Sequence, residues 1–180
     1  MNLVIGCFII GQMNHHKSYL ATTYAFITLY VISALLPPYA IAANPEFLPE
    51  YSLEYNASRD PVKDGVAALN LAKQTNRKVI IEVGGNWCAW CHRLDKFLHS
   101  NPQLRQDFFN TFVLVKVNVS EENDNQAFLS VFPPANGYPH MYVTDHNGNI
   151  LESKDTADFL DNKRYSVSKF YDFINQWMSK

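Results

Sequence analysis

The string "GGNWCAWCHRL" (84–94) sets Cys88 and Cys91 three positions apart and follows them directly with His92. Two thiols at that spacing can close into a disulfide and open again, which is redox chemistry. The same Cys-x-x-Cys-His string also attaches a c-type haem, with His92 as the proximal iron ligand. Zinc held by Cys88, Cys91, His92 and one further His is a third reading, although no second ligand pair stands at zinc spacing.

A helix running from Cys88 through Leu98 would hold the first sulfur among unpaired N–H groups, at the positive end of the helix dipole. A thiolate is favoured there, so the Cys88 pKa is expected below its free value of about 8.5. Cys91, one turn on, shares a face with Leu94, Phe97 and Leu98 and is expected to point inward. The expectation is an exposed Cys88 that attacks and a buried Cys91 that resolves the mixed disulfide. The preceding "KVIIEVGG" is a β-branched run ending in glycines, hence a buried strand. Glu82 sits inside it among Ile80, Ile81 and Val83, with no polar alternation to carry it outward. It reads either as a buried carboxyl of raised pKa, able to take the Cys91 proton, or as an outward charge on a strand edge.

The rest of the chain supplies the frame. "PVKDGVAALNLAKQTNRK" places Val62, Val66, Leu69 and Ala72 or Lys73 at helical spacing behind Pro61. "NPQLRQDFF" restarts a helix at Asn101-Pro102, and "TFVLVKVNVS" is a second strand, carrying Lys116. "NDNQAFLSVF" is a short helix, "PPANGYP" a loop, and "HMYVTDHNGNILES" a hairpin about Asn147-Gly148. "VSKFYDFINQWM" closes as an amphipathic helix, apolar at Val167, Phe170, Tyr171, Ile174 and Trp177 or Met178. This order is an α/β sheet with helices on both faces. His92, His99 and His140 are expected at the surface or rim.

At 180 residues and 47% hydrophobic, the chain has material for one domain with a real core. A net charge of −2, without a basic stripe, excludes nucleic acid as the main partner. The first forty-odd residues hold no Asp or Glu and only Lys17 among Lys and Arg. The apolar run "SYLATTYAFITLYVISALL", followed by Pro37-Pro38 and Ala40-Ile41-Ala42, reads as a signal peptide over 1–42. Met13 is a better initiator than Met1 on this reading. The alternative is an uncleaved membrane anchor over 18–42, because the run is almost long enough to span. Residues 43–60 read as an extended lead-in, and 61–180 as the domain. With Cys7 in the leader, the exported domain keeps only Cys88 and Cys91, which leaves no pair for a structural staple.

"EVGGNWCAWCHRLDKFL" resembles the active-site segment of the thioredoxin superfamily, and the likeness covers about residues 62–178. Glu82 lies six residues before Cys88, where thioredoxins carry a buried Asp and protein disulfide isomerases a Glu. Trp87 matches the Trp before the first cysteine. "LVKVNVS" matches the strand that would place Lys116 beside the buried acid. "GYPHMYV" matches the loop whose proline is cis, with Tyr138-Pro139 as the bond. Taken alone, Lys116 reads equally well as a solvated strand lysine, and Pro139 reads as an ordinary trans proline, so its cis bond rests on the resemblance. Within the superfamily the chain is most similar to the exported thioredoxin-like domain of DsbD-type reductant transporters. It departs from thioredoxin in the proline-free Ala89-Trp90, in Glu for Asp, and in His92 where Lys is common.

The resemblance implies a thioredoxin fold, a central mixed β-sheet flanked by helices. It implies Cys88 and Cys91 as the redox-active disulfide, with Glu82 and Lys116 as catalytic partners. Trp87, read with Trp90 as apolar packing around the site, joins Tyr138 and Pro139 at the substrate edge. There Tyr138 offers its backbone N–H and C=O to an extended strand. The expected protein is an exported, periplasmic thiol–disulfide oxidoreductase, a monomer without cofactor or metal, and on the membrane only if the leader is retained. It exchanges disulfides with protein thiols and with a redox partner protein, more as a reductant carrier than as an isomerase. A haem electron-transfer protein and a non-catalytic binding module are the alternatives. The flanking β-runs argue against the first, and the intact cysteines against the second.

Overall fold

The computed structural model describes residues 48–178; the leader, its cleavage site, Cys7 and both candidate initiators lie outside the described residues. After a 3-10 turn at Glu50–Ser52 come α1 (Pro61–Thr75), β1 (Lys78–Gly84), α2 (Ala89–Ser100), α3 (Pro102–Thr111) and β2 (Phe112–Asn118). There follow α4 (Gln126–Leu129), β3 (His140–Thr144), β4 (Ile150–Asp155), a 3-10 turn at Thr156–Phe159, the ribbon β5 (Leu160–Asp161) and β6 (Arg164–Tyr165), and α5 (Val167–Met178). The main sheet has the order β2-β1-β3-β4, with β1 parallel to β2 and antiparallel to β3. Among the described residues no helix is long and apolar enough to cross a membrane.

Local chemistry sets the boundaries. Asp60 caps α1 by accepting from the Val62 and Lys63 amides at 3.0 and 3.2 Å, with Pro61 preset for the first helical position. Asn76, in the left-handed region at φ 52°, ends that helix. In the β3–β4 turn, the Asp145 carboxylate accepts from the Asn147 and Asn149 amides at 2.8 and 2.9 Å, and Gly148 supplies the positive φ of 86°.

Strand alternation divides the interior into two cores. Ile80, Leu114, Met141 and Val143 face α2, α3 and α5, where Leu94, Phe108, Phe170 and Ile174 are fully buried. Each such side chain is worth about 1.5–3 kcal/mol relative to exposure. Val79, Ile81, Val83, Val113, Val115 and Val117 face the other way, against α1. Glu82 and Lys116 are register neighbours across β1 and β2, so both lie on the α2 side, with Met141 opposite Glu82 on β3.

The structure corrects several expectations. The inner face of α1 is Ala68 and Ala72, both fully buried, while Val62 and Val66 are more than half exposed. Small side chains let this helix lie close on the valine face of the sheet, and the larger valines have no room there. In α5, Phe173 completes the buried stripe, and Met178 and Val167 are exposed. Residues 48–60 are more than an extended lead-in. They form a strap that buries Tyr51, Ser52 and Tyr55, and the Ser52 hydroxyl donates to the Leu114 carbonyl at 2.5 Å. His140 is buried rather than at the rim, because it opens β3 with its ring tilted against Tyr142.

Candidate active site

β1 runs out into Gly84 and Gly85, and both glycines are required by space. A Cβ on Gly84 would stand 2.6 Å from Cys91 Sγ and 2.8 Å from the Tyr55 hydroxyl oxygen. A Cβ on Gly85 would stand 2.5 Å from Trp87 Nε1 and 2.8 Å from the Val119 carbonyl, the pair that hydrogen-bond at 2.6 Å. The chain then turns through Asn86 into α2, whose N-cap is Cys88. The Cys88 sulfur accepts from the Cys91 amide at 3.2 Å.

Cys88 and Cys91 form a disulfide, with Cα atoms 5.3 Å apart. Cys91 is fully buried, as its place on the Leu94–Leu98 face requires. Cys88 is buried too, at 4% exposure, against the expectation of an open thiol. It packs with Tyr55, Cys91, Trp90 and Tyr138, two of which arrive from distant segments that no helical pattern reveals. The exposed group at the site is Trp87, at 60%, whose ring meets Tyr138 edge to face at 5.6 Å. The Tyr138–Pro139 bond is cis, and Thr156 braces it by donating to the Pro139 carbonyl at 2.6 Å. Trp90 carries the Arg93 guanidinium 4.4 Å above its ring.

Behind the sulfurs, Glu82 is completely buried. Burial raises its carboxyl pKa, opposed by the Lys116 charge and by the hydrogen bond from Tyr55, and reinforced by the nearby Asp95 charge. Val83 is no part of its surroundings, since it points to the opposite core. Lys116 lies beside Glu82 in the register but binds Asp95 of α2, at 2.6 and 2.7 Å to the two oxygens. Its ammonium also sits 4.9 Å over the Tyr55 ring. The Tyr55 hydroxyl donates to Glu82 Oε1, and Glu82 Oε2 is buried without a hydrogen-bond partner.

The structure thus brings Glu82, Lys116, Cys88 and Cys91 together, with Trp87, Tyr138 and Pro139 along the outer edge. Sequence reasoning missed Tyr55 and Asp95. Asp95 had a signal, since it follows Cys91 by four and so shares its helical face. Tyr55 had none, being brought in by the strap.

A haem would need free cysteines and a free His92 Nε2. Here the sulfurs are joined to each other, and Nε2 donates to the Asn86 carbonyl at 2.8 Å. Among the described residues no group of His, Cys, Asp or Glu is arranged to hold a metal ion.

The thioredoxin-like family matches residues 60–145, which includes β1, the Cys pair, β2 and the cis-proline loop. Residues 60–145 are a thioredoxin-like domain. A disulphide isomerase of Xylella fastidiosa Temecula1 superposes with a TM-score of 0.58 and 25% identity, covering 74% of this chain and 98% of the other. The oxidised C-terminal domain of Neisseria meningitidis DsbD shares the fold at a TM-score of 0.50 and 19% identity, over 66% of this chain and 96% of that one. In sequence, the thiol:disulfide interchange protein DsbD of Haemophilus influenzae (strain 86-028NP) is 26% identical over 97 residues, 53% of this chain. That of Citrobacter koseri is 27% identical over 104 residues, 57% of this chain. The chain spans only 16% and 18% of the length of those two relatives. A thioredoxin fold with a Cys-x-x-Cys disulfide at a helix N-terminus is the apparatus of a thiol–disulfide oxidoreductase.

Proposed function

We propose that the protein exchanges disulfides with protein thiols through Cys88 and Cys91, acting as an exported reductant carrier. The observation that carries this reading is a disulfide at the N-cap of α2 with a buried carboxyl behind it. In the reduced protein the α2 N-terminus favours the Cys88 thiolate, which attacks a partner disulfide. The Cys91 thiol, deeper in the fold, then gives up its proton and attacks the Cys88 sulfur. The partner leaves as a thiol, and the Cys88–Cys91 disulfide is restored.

Each neighbouring residue has a part in this scheme. Glu82 is the base for Cys91, its raised pKa suiting it to proton transfer nearer neutrality than an ordinary carboxylate. Lys116 limits that rise through its charge. Trp87, Tyr138 and Pro139 form the edge that receives the partner strand, with Trp87 as the exposed contact. The two DsbD relatives, named for thiol:disulfide interchange, support the chemistry, and the reading of residues 1–42 as a signal peptide supports export.

Trapping tests the assignment. Cys91→Ser should accumulate mixed disulfides with protein partners on Cys88, and Cys88→Ser should accumulate few. Equal trapping by the two variants would reverse the roles. Absence of insulin reduction by the wild-type protein with dithiothreitol would dismiss the function.

A further inference from the structure

Tyr55 is outside every part of the scheme above, yet it links the two cysteines to the buried carboxyl. It is 3% exposed and packs directly with Cys88 and Cys91. Its hydroxyl donates to Glu82 Oε1. The same hydroxyl and Cys91 Sγ converge on the space that a Gly84 side chain would fill, at 2.8 and 2.6 Å from its Cβ position. Its backbone is fixed as well, since Asn86, two residues before Cys88, donates to the Tyr55 carbonyl at 2.9 Å.

We infer that Tyr55 relays the Cys91 proton to Glu82. This rests on the proposed exchange function and adds a residue to it. The step balances without a further reactant. The Cys91 S–H gives its proton to Tyr55 Oη while the Tyr55 O–H gives its own to Glu82 Oε1. The Cys91 electron pair forms the bond to Cys88 Sγ, and the Cys88–partner S–S bond breaks. The partner sulfur departs with that bonding pair and is protonated by solvent. Tyr55 is a phenol before and after, as its burial requires: burial and the neighbouring Glu82 charge keep its pKa well above the usual tyrosine value. A relay also explains a geometric oddity. Glu82 Oε1 is the oxygen occupied by Tyr55, while Oε2 has no partner, so the hydrogen bond toward the sulfurs is the one the site has built.

Other charges face Glu82 and enter its titration. They are Lys116 from β2 and Asp95 from α2, while Tyr165 of β6 feels the Glu82 charge in turn. None of these donates a hydrogen bond to the Glu82 carboxylate; Lys116 is spent on Asp95. A purely structural Tyr55 would contribute packing, which phenylalanine keeps. A relay needs the hydroxyl.

The test uses the reduced protein and oxidised glutathione, followed by stopped flow. Attack by Cys88 releases one glutathione, and resolution by Cys91 releases the second. Tyr55→Phe should leave attack within about twofold and slow resolution by roughly tenfold or more, the low end of general-base contributions. Glu82→Gln should slow the same step, and the double variant should be no slower than the worse single, because the two residues form one path. Independent losses that multiply in the double variant would overturn the relay, as would a Tyr55→Phe protein that resolves at the wild-type rate. Equal slowing of both steps would mark a packing defect instead. Should Tyr55→Phe not fold, fluorotyrosine at position 55 keeps the ring and acidifies the hydroxyl. Resolution should then change with phenol acidity while attack does not, and a resolution rate indifferent to it would overturn the relay. Wild-type protein that releases no glutathione would remove the exchange function and the relay with it, whereas active wild type with an unchanged Tyr55→Phe variant removes the relay alone.

Discussion

The Lys116–Asp95 pair is unequal, and its inequality predicts an asymmetry in stability. The Lys116 side chain is 2% exposed and that of Asp95 33%. Removing Lys116 as Lys116→Met leaves Asp95, a carboxylate that water already reaches, and Glu82, which answers the lost charge by holding its proton more firmly, with a methionine that suits the apolar core around Leu114. The loss should be about 1 kcal/mol, in the range of a partly solvated pair. Removing Asp95 as Asp95→Ala leaves a buried ammonium without its bidentate acceptor. Stranding one member of a buried pair costs roughly 3–5 kcal/mol. Glu82, next in register, offers a second negative group and should hold the loss near the lower end. Urea denaturation of the oxidised protein at pH 7 measures both. Asp95→Ala should lose about three times as much stability as Lys116→Met, and in a thermal melt the difference should reach several degrees. Equal losses, or a larger loss from Lys116→Met, would show that the ammonium is solvated in the folded protein, and the reasoning about its burial would fall.

Glu82→Gln should stabilise the fold in a pH-dependent way. The folded pKa of Glu82 lies above its usual value of 4.5, so the native state favours the protonated acid. Its contribution is fully present below pH 4.5 and is lost as pH rises through the folded value. The variant should match wild type in denaturation at pH 4 and exceed it at pH 8. His140 acts in the opposite sense. Burial lowers its pKa below 6.5, against a smaller opposing pull from Asp155. Wild type should therefore lose stability as pH falls from 6.5 through the folded value, and His140→Gln should lack that loss in the same urea series.

The sheet was readable because its residues have few alternatives. A run such as Val79 to Val83 suits only a strand, and the charge at Glu82 within it had to be either buried or at an edge. The hairpin about Gly148 and the starts of α1 and α3 at Pro61 and Pro102 are equally local, since a turn or cap is settled within a few residues. Packing faces were less readable. Val62 and Val66 satisfied helical spacing, but the sheet accepted Ala68 and Ala72 for their size, which periodicity does not weigh. The candidate site divided in the same manner. Cys88, Cys91 and Glu82 lie within one short segment, whereas Tyr55 and the Lys116–Asp95 bond are contacts across 27 and 21 residues. The burial of Cys88 followed from those distant aromatics, so no local pattern carried it.

The strap also fixes an order of assembly. Ser52 bonds a carbonyl 62 residues ahead of it, and the Ala57 carbonyl accepts from Asn123, 66 residues ahead. Both partners must be made and placed before the strap has anything to hold, whereas Cys88 and Cys91 sit on a single turn of α2 and need only their own helix. Closing the long loops is entropically the later event. If local contacts form first, the two thiols can already meet while the Tyr55 hydroxyl is still absent from Glu82. On a growing polypeptide this stage lasts from the appearance of Cys91 until Leu114 and Asn123 have emerged. During that interval the cysteines are an ordinary dithiol, open to whatever oxidant surrounds them, and they acquire their enclosed setting only when the earliest-made described segment returns to close over them.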